Sequence, residues 1–355
     1  MKRRYCFLLL NVVFLILGCG GSDPFSGLTP DPTPAPDPGP PPPLPSDFLV
    51  TSPPAGMIGR IAYIGEVANE SFAMHIFLTS PDGANAKSLF PLEDIFSYTG
   101  PSWGPAGDKL VMASNLQGNA EWDIYTINVD GSGIEHTISG PSNGDFAPSW
   151  SPDGSQIVFQ SAPNPVSGFD IYHYNVGTEV ITNLTNSDGD DELPSWSPDG
   201  TRVLFQTITR GGDAASSGTN LALINADGTG LVALTTGVGF QNSAGAFSPD
   251  GQLIAFESTQ HQEVSATATI GDFEIYTMKP DGSDQRRVSV GAGLTDAARF
   301  PTWSPDGKHI AFEFHDFTLN QLFSVTFIGV MNADGSNMYL LQDQPVSGQF
   351  PRWGP

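Results

Sequence analysis

The chain has 355 residues, of which 38 are Asp or Glu against 14 Lys or Arg, giving a formal net charge of −24 at pH 7. A surface of that sign repels phosphate backbones, which excludes nucleic acid as a partner and favours cations or basic protein patches. The two cysteines, Cys6 and Cys19, both lie near the N-terminus, so cysteine catalysis, cysteine-ligated metal and a disulfide are excluded from everything beyond them.

The chain opens with Lys2, Arg3 and Arg4, followed by an apolar run from Tyr5 to Leu17 interrupted only by Asn11. That run is short of the roughly 20 residues a helix needs to span a bilayer, so residues 1–18 read as a cleaved secretory signal. Ile16-Leu17-Gly18-Cys19 resembles a bacterial lipobox, with Ile16 at the position where Leu is commoner. The resemblance implies that Cys19 is acylated and becomes the first residue of the mature protein, its sole attachment to a membrane. Gly20 stands where an Asp would favour retention in the inner membrane, so the expected anchor is the outer membrane of a bacterium. Cleavage would remove three basic residues and no acids, leaving the mature chain more acidic still.

Residues 19–55 read as a disordered tether. From Pro30 to Pro45, ten of sixteen residues are proline, which holds the segment in extended polyproline II at about 3.1 Å per residue and leaves nothing to build a core.

Beyond residue 56 the chain repeats. An aromatic residue, then Ser or Gly, then Pro and a turn ending in Gly recurs at Trp103–Gly107, Trp150–Gly154, Trp196–Gly200, Phe247–Gly251 and Trp303–Gly307, with Trp353-Gly354-Pro355 as a cut-off sixth copy. The aromatic positions are 47, 46, 51, 56 and 50 residues apart, a period that signals an array of supersecondary units. After each turn comes a β-branched or aromatic run such as Leu110-Val111-Met112 or Ile157-Val158-Phe159, then a second such as Asp123-Ile124-Tyr125 or Asp170-Ile171-Tyr172. These predict strands. Asp-Gly pairs at Asp82, Asp130, Asp227, Asp281 and Asp334 supply the positive φ of tight turns, and a fourth strand leads through Leu184-Thr185 or Leu234-Thr235 to the next aromatic.

Four short antiparallel strands per unit around a ring describe a propeller blade. The first unit starts at Ile61-Ala62-Tyr63 without an aromatic strand before it, and Phe350–Trp353 has no successor. The expected fold is therefore all-β, a six-bladed propeller over residues 56–355, closed by pairing of its N- and C-terminal strands, which removes both exposed edges. The Trp-Ser-Pro-Asp-Gly turn followed by Ile-Ala-Phe and Asp-Ile-Tyr resembles the TolB-like six-bladed propellers of bacterial envelopes, which implies this fold without specifying an activity.

Residues repeated once per blade are expected to serve the scaffold. That applies to the aromatics, the Asp-Gly turns and the column His75, Asp123, Asp170, Asn220, Glu274 and Phe327 opening the third strands, whose acids should hydrogen-bond neighbouring strands or turns. Gly140-Pro141-Ser142-Asn143-Gly144 matches a hydrolase motif that works on a strand-to-helix elbow, but here it falls between two strands. The histidines show no metal-ligand spacing.

Five residues before each inner aromatic stand Tyr98, Asp145, Asp191, Asn242, Ala298 and Gly348, and the acidic run Asp188–Glu192 breaks the repeat there. In the family's geometry the tryptophan-bearing strand is innermost, which would put this column at one mouth of the channel. The expected binding residues are accordingly Tyr98, Asp145, Asp191, Glu192 and Asn242, with Asp145, Asp191 and Asn242 offering hard oxygen ligands suited to Ca²⁺. The expected protein is a monomeric, non-enzymatic scaffold, lipid-anchored to the membrane, that binds an envelope protein or peptide. The alternative is a metal-assisted carbohydrate lyase or hydrolase acting at the channel mouth.

Overall fold

The computed structural model describes residues 53, 56–66, 74–89, 100–116, 122–140, 144–162, 168–187, 189–209, 218–236, 240–260, 273–289, 296–316, 325–341 and 348–355. The expected signal, Cys19 and the proline-rich stretch lie outside these residues.

Six four-stranded antiparallel sheets form the propeller, as the repeat predicts. Blade 1 joins β1 (Arg60–Glu66), β2 (Met74–Thr79) and β3 (Lys87–Ser88), and blade 2 contains β4 (Ser102–Trp103), β5 (Lys109–Ser114), β6 (Asp123–Asn128) and β7 (Glu135–Ile138). Blade 3 is β8 (Asp145–Trp150), β9 (Gln156–Ser161), β10 (Asp170–Asn175) and β11 (Ile181–Asn183), and blade 4 is β12 (Asp190–Trp196), β13 (Arg202–Thr209), β14 (Gly218–Asn225) and β15 (Val232–Ala233). Blade 5 is β16 (Asn242–Phe247), β17 (Ile254–Ser258), β18 (Glu274–Met278) and β19 (Arg286–Arg287). Blade 6 is β20 (Asp296–Trp303), β21 (His309–Asp316), β22 (Val325–Asn332) and β23 (Tyr339–Leu340). The innermost strand of blade 1 is β24 (Gly348–Gly354), which pairs antiparallel with β1 and closes the ring.

The middle strands are buried on both faces, which explains why they read as continuous apolar runs and not as an alternating pattern. The core lies between blades. Ala62 and Ile76 of blade 1 pack with Leu110, Met112 and Tyr125 of blade 2, while Ile61, Tyr63 and Trp353 of blade 1 pack with Ala311, Ile328 and Val330 of blade 6. Each blade thus completes its burial only against two neighbours.

The cut-off sixth motif is rebuilt from both ends of the domain. The Trp353 indole donates to the carbonyl of Ile58 at 2.8 Å, as the Trp150 indole donates to Gly154 at 3.3 Å inside an intact turn. Arg60 reaches the carbonyl of Gly107 at 2.5 Å and lies over the Trp103 ring at 4.9 Å. Pro355 packs so tightly on Gly107 (φ 69°) that a Cβ there would stand 2.8 Å from its ring, as well as being strained by the positive φ. Other tryptophans stitch inner strands together, Trp103 donating to Arg352 O at 2.9 Å, Trp196 to Ser149 O at 3.2 Å and Trp303 to Ala246 O at 3.1 Å.

The Asp-Gly turns form as expected, with positive φ at Gly83, Gly131, Gly228, Gly282 and Gly335. In them Asp130, Asp227, Asp281 and Asp334 each accept the hydroxyl and then the backbone N–H of the residue two places on, which holds their pKa values below the usual carboxylate range. A good part of the negative charge is therefore turn chemistry.

Candidate functional site

The first strand of every blade faces the axis, and in five of the six, all but β4, a bulge among the described residues interrupts its pairing. The register slips between Phe146 and Ser149, Glu192 and Ser195, Ser243 and Ala246, and Arg299 and Thr302, and between β1 and β24 across Ala62 and Ile64. At each bulge one residue without glycine's freedom adopts a positive φ of 49–51°: Ala147, Leu193, Ala244, Phe300 and Phe350. Such a conformation persists only where the surroundings fix it.

Here the neighbouring blade fixes it. The N–H of Leu193 donates to Gln160 Oε1 at 2.9 Å, that of Ala244 to Gln206 Oε1 at 3.3 Å, that of Phe300 to Glu257 Oε2 at 2.9 Å and that of Phe350 to Glu313 Oε2 at 3.0 Å. Each acceptor sits on the second strand of the preceding blade. Sequence reasoning missed this column, although its signal is present: Gln160, Gln206, Glu257 and Glu313 each directly follow the apolar triplet of that strand and so place a polar residue in an otherwise buried run.

Two of these acceptors are buried carboxylates with a basic side chain beside them. Glu257 takes Arg299 Nη2 at 2.9 Å and the Ser243 hydroxyl at 2.6 Å. Burial works most strongly to lower the Arg299 pKa, but the charge and hydrogen bond of Glu257 together with the charge of Glu313 outweigh it and the net shift is upward. Arg299 also lies over the rings of Phe273 and Phe300, at 4.5 and 4.9 Å. Glu313 stands 2.6 Å from His315 Nε2.

The residues at this level line the channel unevenly. The rings of Phe300 and Phe350, from successive inner strands, meet edge-on at 4.5 Å, and the backbone of Gly100 lies directly against Phe350. Leu193, Phe300 and Phe350 keep partial access to solvent, whereas Gly100, Ala147 and Ala244 are small and buried.

Of the residues expected at the mouth, Tyr98 lies outside the described residues. Asp145, Asp191 and Asn242 do occupy equivalent places on adjacent inner strands, at 0, 2 and 2 % exposure. Their hydrogen bonds run to three different joints between blades. Asp145 accepts the N–H of Gly140 at 2.6 Å, and its own N–H donates to Trp122 O at 2.8 Å. Asp191 donates its N–H to Phe169 O at 2.7 Å. Its carboxyl pKa is pushed up to about 6, chiefly by burial and further by the charge of Asp170, against hydrogen bonds from Thr207, Thr185 and Ser187. Asn242 accepts the Ser258 hydroxyl at 2.7 Å and donates to Asn220 Oδ1 at 3.4 Å. A cation at these residues would have to displace such bonds. Glu192 accepts from Gln206 Nε2 at 2.9 Å.

The third-strand column pairs with its own blade edges, as its recurrence suggests. Asp170 receives Ser187 N at 2.9 Å, Asn183 Nδ2 at 2.9 Å and the Thr185 hydroxyl at 3.2 Å, Glu274 receives the Ser289 hydroxyl at 2.5 Å, and Asp123 lies 3.2 Å from His136 Nε2. Among the described residues no three His, Cys, Asp or Glu side chains gather in a metal-binding group. Ser142 of the hydrolase-like motif lies outside the described residues.

Comparison with known proteins accords with this architecture. A family model described as the TolB beta propeller domain matches residues 50–355. The crystal structure of TolB from Acinetobacter baumannii superposes with a TM-score of 0.63 at 22% identity, covering 85% of this chain and 68% of that one. A putative TolB from Agrobacterium tumefaciens gives 0.58 at 20% identity over 84% and 100% of the two chains. The hydrazine synthase of Kuenenia stuttgartiensis gives 0.62 at 13% identity over 84% of this chain and 46% of that one. At these identities the solved structures speak to fold alone. No curated protein sequence matches.

Proposed function

The chain belongs to the TolB β-propeller family, and from that premise we propose that it is a non-enzymatic scaffold of the bacterial envelope that binds a protein or peptide in its central channel. The observation that carries this reading is the uneven channel lining, with its paired aromatic rings. Phe300 and Phe350, on the adjoining blades 6 and 1, bring two rings together on one side, while Leu193 on blade 4 stands across the ring from Phe350 between the small Ala147 and Ala244, an uneven, partly apolar surface that suits a directional segment and has no counterpart in a symmetric pore. Aromatic anchors of this kind dominate binding where they are desolvated by a partner. The buried acids Glu257 and Glu313 already hold the bulges in place, which suits a rigid scaffold. In this reading Cys19 carries the lipid at the outer membrane, residues 19–55 act as the tether and residues 56–355 do the binding.

In-cell photo-crosslinking tests it. A photoreactive residue in place of Phe350 should capture one discrete protein or peptide, while the same residue at Val180, 55 % exposed on the outer side of a blade, should not. Equal labelling from both positions would defeat the channel reading. The cation reading of Asp145, Asp191 and Asn242 has its own test in thermal melts with Ca²⁺, Mg²⁺ or chelator. Stabilisation that Asp145→Asn with Asp191→Asn abolishes assigns the ion to them, and equal stabilisation of both proteins assigns it elsewhere on the acidic surface.

A further inference from the structure

One cation of the inner ring stands apart from the others. Arg352 lies on β24, one residue before Trp353. The equivalent residues of the other five inner strands, counted from their aromatics, are Ser102, Ser149, Ser195, Ala246 and Thr302, all small. Several of them bridge to the next inner strand, which places this level between strands at the axis: Ser102 Oγ accepts Trp150 N at 3.4 Å, Ser195 Oγ donates to Gly245 O at 3.0 Å and Thr302 Oγ1 accepts Trp353 N at 3.2 Å. Arg352 is therefore the one long side chain at its level, projecting where its neighbours leave room.

Its charge has no carboxylate partner among the described residues. Arg299 has Glu257 at 2.9 Å, and Arg286 has Asp284 at 2.9 Å. For Arg352 the single hydrogen bond is from Nη1 to the carbonyl of Pro351, at 2.9 Å. Burial alone lowers its pKa to about 10, yet the residue keeps partial access to solvent, a combination that a narrow channel imposes. It remains protonated at neutral pH. A desolvated guanidinium with four unused N–H donors is unfavourable until an acceptor arrives. At the same level the hydroxyl of Ser149 is engaged in no hydrogen bond within the described protein.

We propose that the channel is a carboxylate-binding site, in which the guanidinium of Arg352 receives one carboxylate of a peptide, either its C-terminus or an Asp or Glu side chain. A planar guanidinium matches a carboxylate with two parallel hydrogen bonds. A single positive charge within a protein of net charge −24 favours a monoanion over a dianion, since the surrounding field opposes each added negative charge. The peptide identity of the ligand rests on the scaffold reading above, whereas the carboxylate site is measured without any partner.

The test titrates sodium acetate into the full-length protein at constant ionic strength, following the side-chain Nε–H NMR signals of arginine and the melting temperature. Acetamide and inorganic phosphate are run in parallel. The expected result is a saturable acetate response in the parent, at least tenfold weaker in Arg352→Gln, with acetamide silent. Arg352→Lys, which keeps the charge but not the planar fork, should fold and bind acetate several-fold more weakly, and it serves as the second variant should Arg352→Gln fail to fold. An equal response in Arg352→Gln or in Arg352→Lys, or no saturable response in the parent, overturns the site. Phosphate binding more tightly than acetate overturns the carboxylate assignment. Failure here leaves the crosslinking result untouched, so the two readings fail separately.

Discussion

At the scale of single residues, acids in this protein fall into groups of opposite effect on stability. Asp153 is held down to about 2, first by the backbone N–H of Ser155 and then by the hydroxyls of Ser151 and Ser155. Like the Asp-Gly carboxylates, it contributes stability that is present above the unfolded pKa near 4 and is lost as pH falls through its folded value. Asp191 works the other way. Its folded pKa of about 6 lies above the ordinary aspartate value of 3.8, so stability falls as pH rises between these two values and stays reduced above them, by about 3 kcal/mol from the size of that gap. Asp191→Asn should therefore gain stability over the parent at pH 7, with the advantage fading towards pH 4. Denaturant melts across that range check it, and an advantage that is the same at pH 4 and pH 7 would refute the assignment. Glu257 offers the converse case. Its removal in Glu257→Ala strands the Arg299 guanidinium, the Phe300 N–H and the Ser243 hydroxyl together, which should cost about 3–5 kcal/mol. A loss below 1 kcal/mol in urea unfolding would show that water replaces the carboxylate.

At the scale of elements, β24 matters most for its length. Deleting residues 349–355 removes the innermost strand of blade 1 and Trp353, 7 % exposed. Loss of one buried large aromatic alone costs about 3–5 kcal/mol, and the uncovered edge of β1 invites association between chains. The shortened protein should melt well below the parent and aggregate, and an unchanged melting temperature would sink the closure. Strand identity, blade number and this closure were legible in the sequence because each rests on a recurring local signal, such as Ile157-Val158-Phe159 after Asp153-Gly154 or the unmatched run at Ile61. The bulges were not. A positive φ at Leu193 or Phe350 goes against the intrinsic preference of both residues, and only a side chain from the preceding blade, Gln160 or Glu313, makes it hold. Local sequence carries no record of that distant partner. For the same reason the spacing that placed Asp145, Asp191 and Asn242 on one column correctly gave their equivalence, yet could not show that their hydrogen bonds lead into three separate joints.

At the scale of the whole molecule, the predicted order is lipid, tether and ring, and the first of these is tested at Cys19. Cys19→Ala should abolish incorporation of labelled fatty acid and release the protein from membranes into the soluble fraction, and equal labelling of the variant would remove the anchor from the scheme. The ring itself carries a consequence in time. Blade 1 pairs Arg60 with Gly354 and Gly65 with Gly348, so the ribosome makes one edge of that sheet early and the other only after the remaining five blades. Contacts so distant in sequence form slowly, and β1 has to wait, half-paired, while they are made. A nascent or prematurely terminated chain is thus marked by an open inner edge and an unburied Tyr63, features that chaperones and proteases recognise. The join between the two ends serves as a completeness check, since only a chain translated through Trp353 can hide the signs of being unfinished.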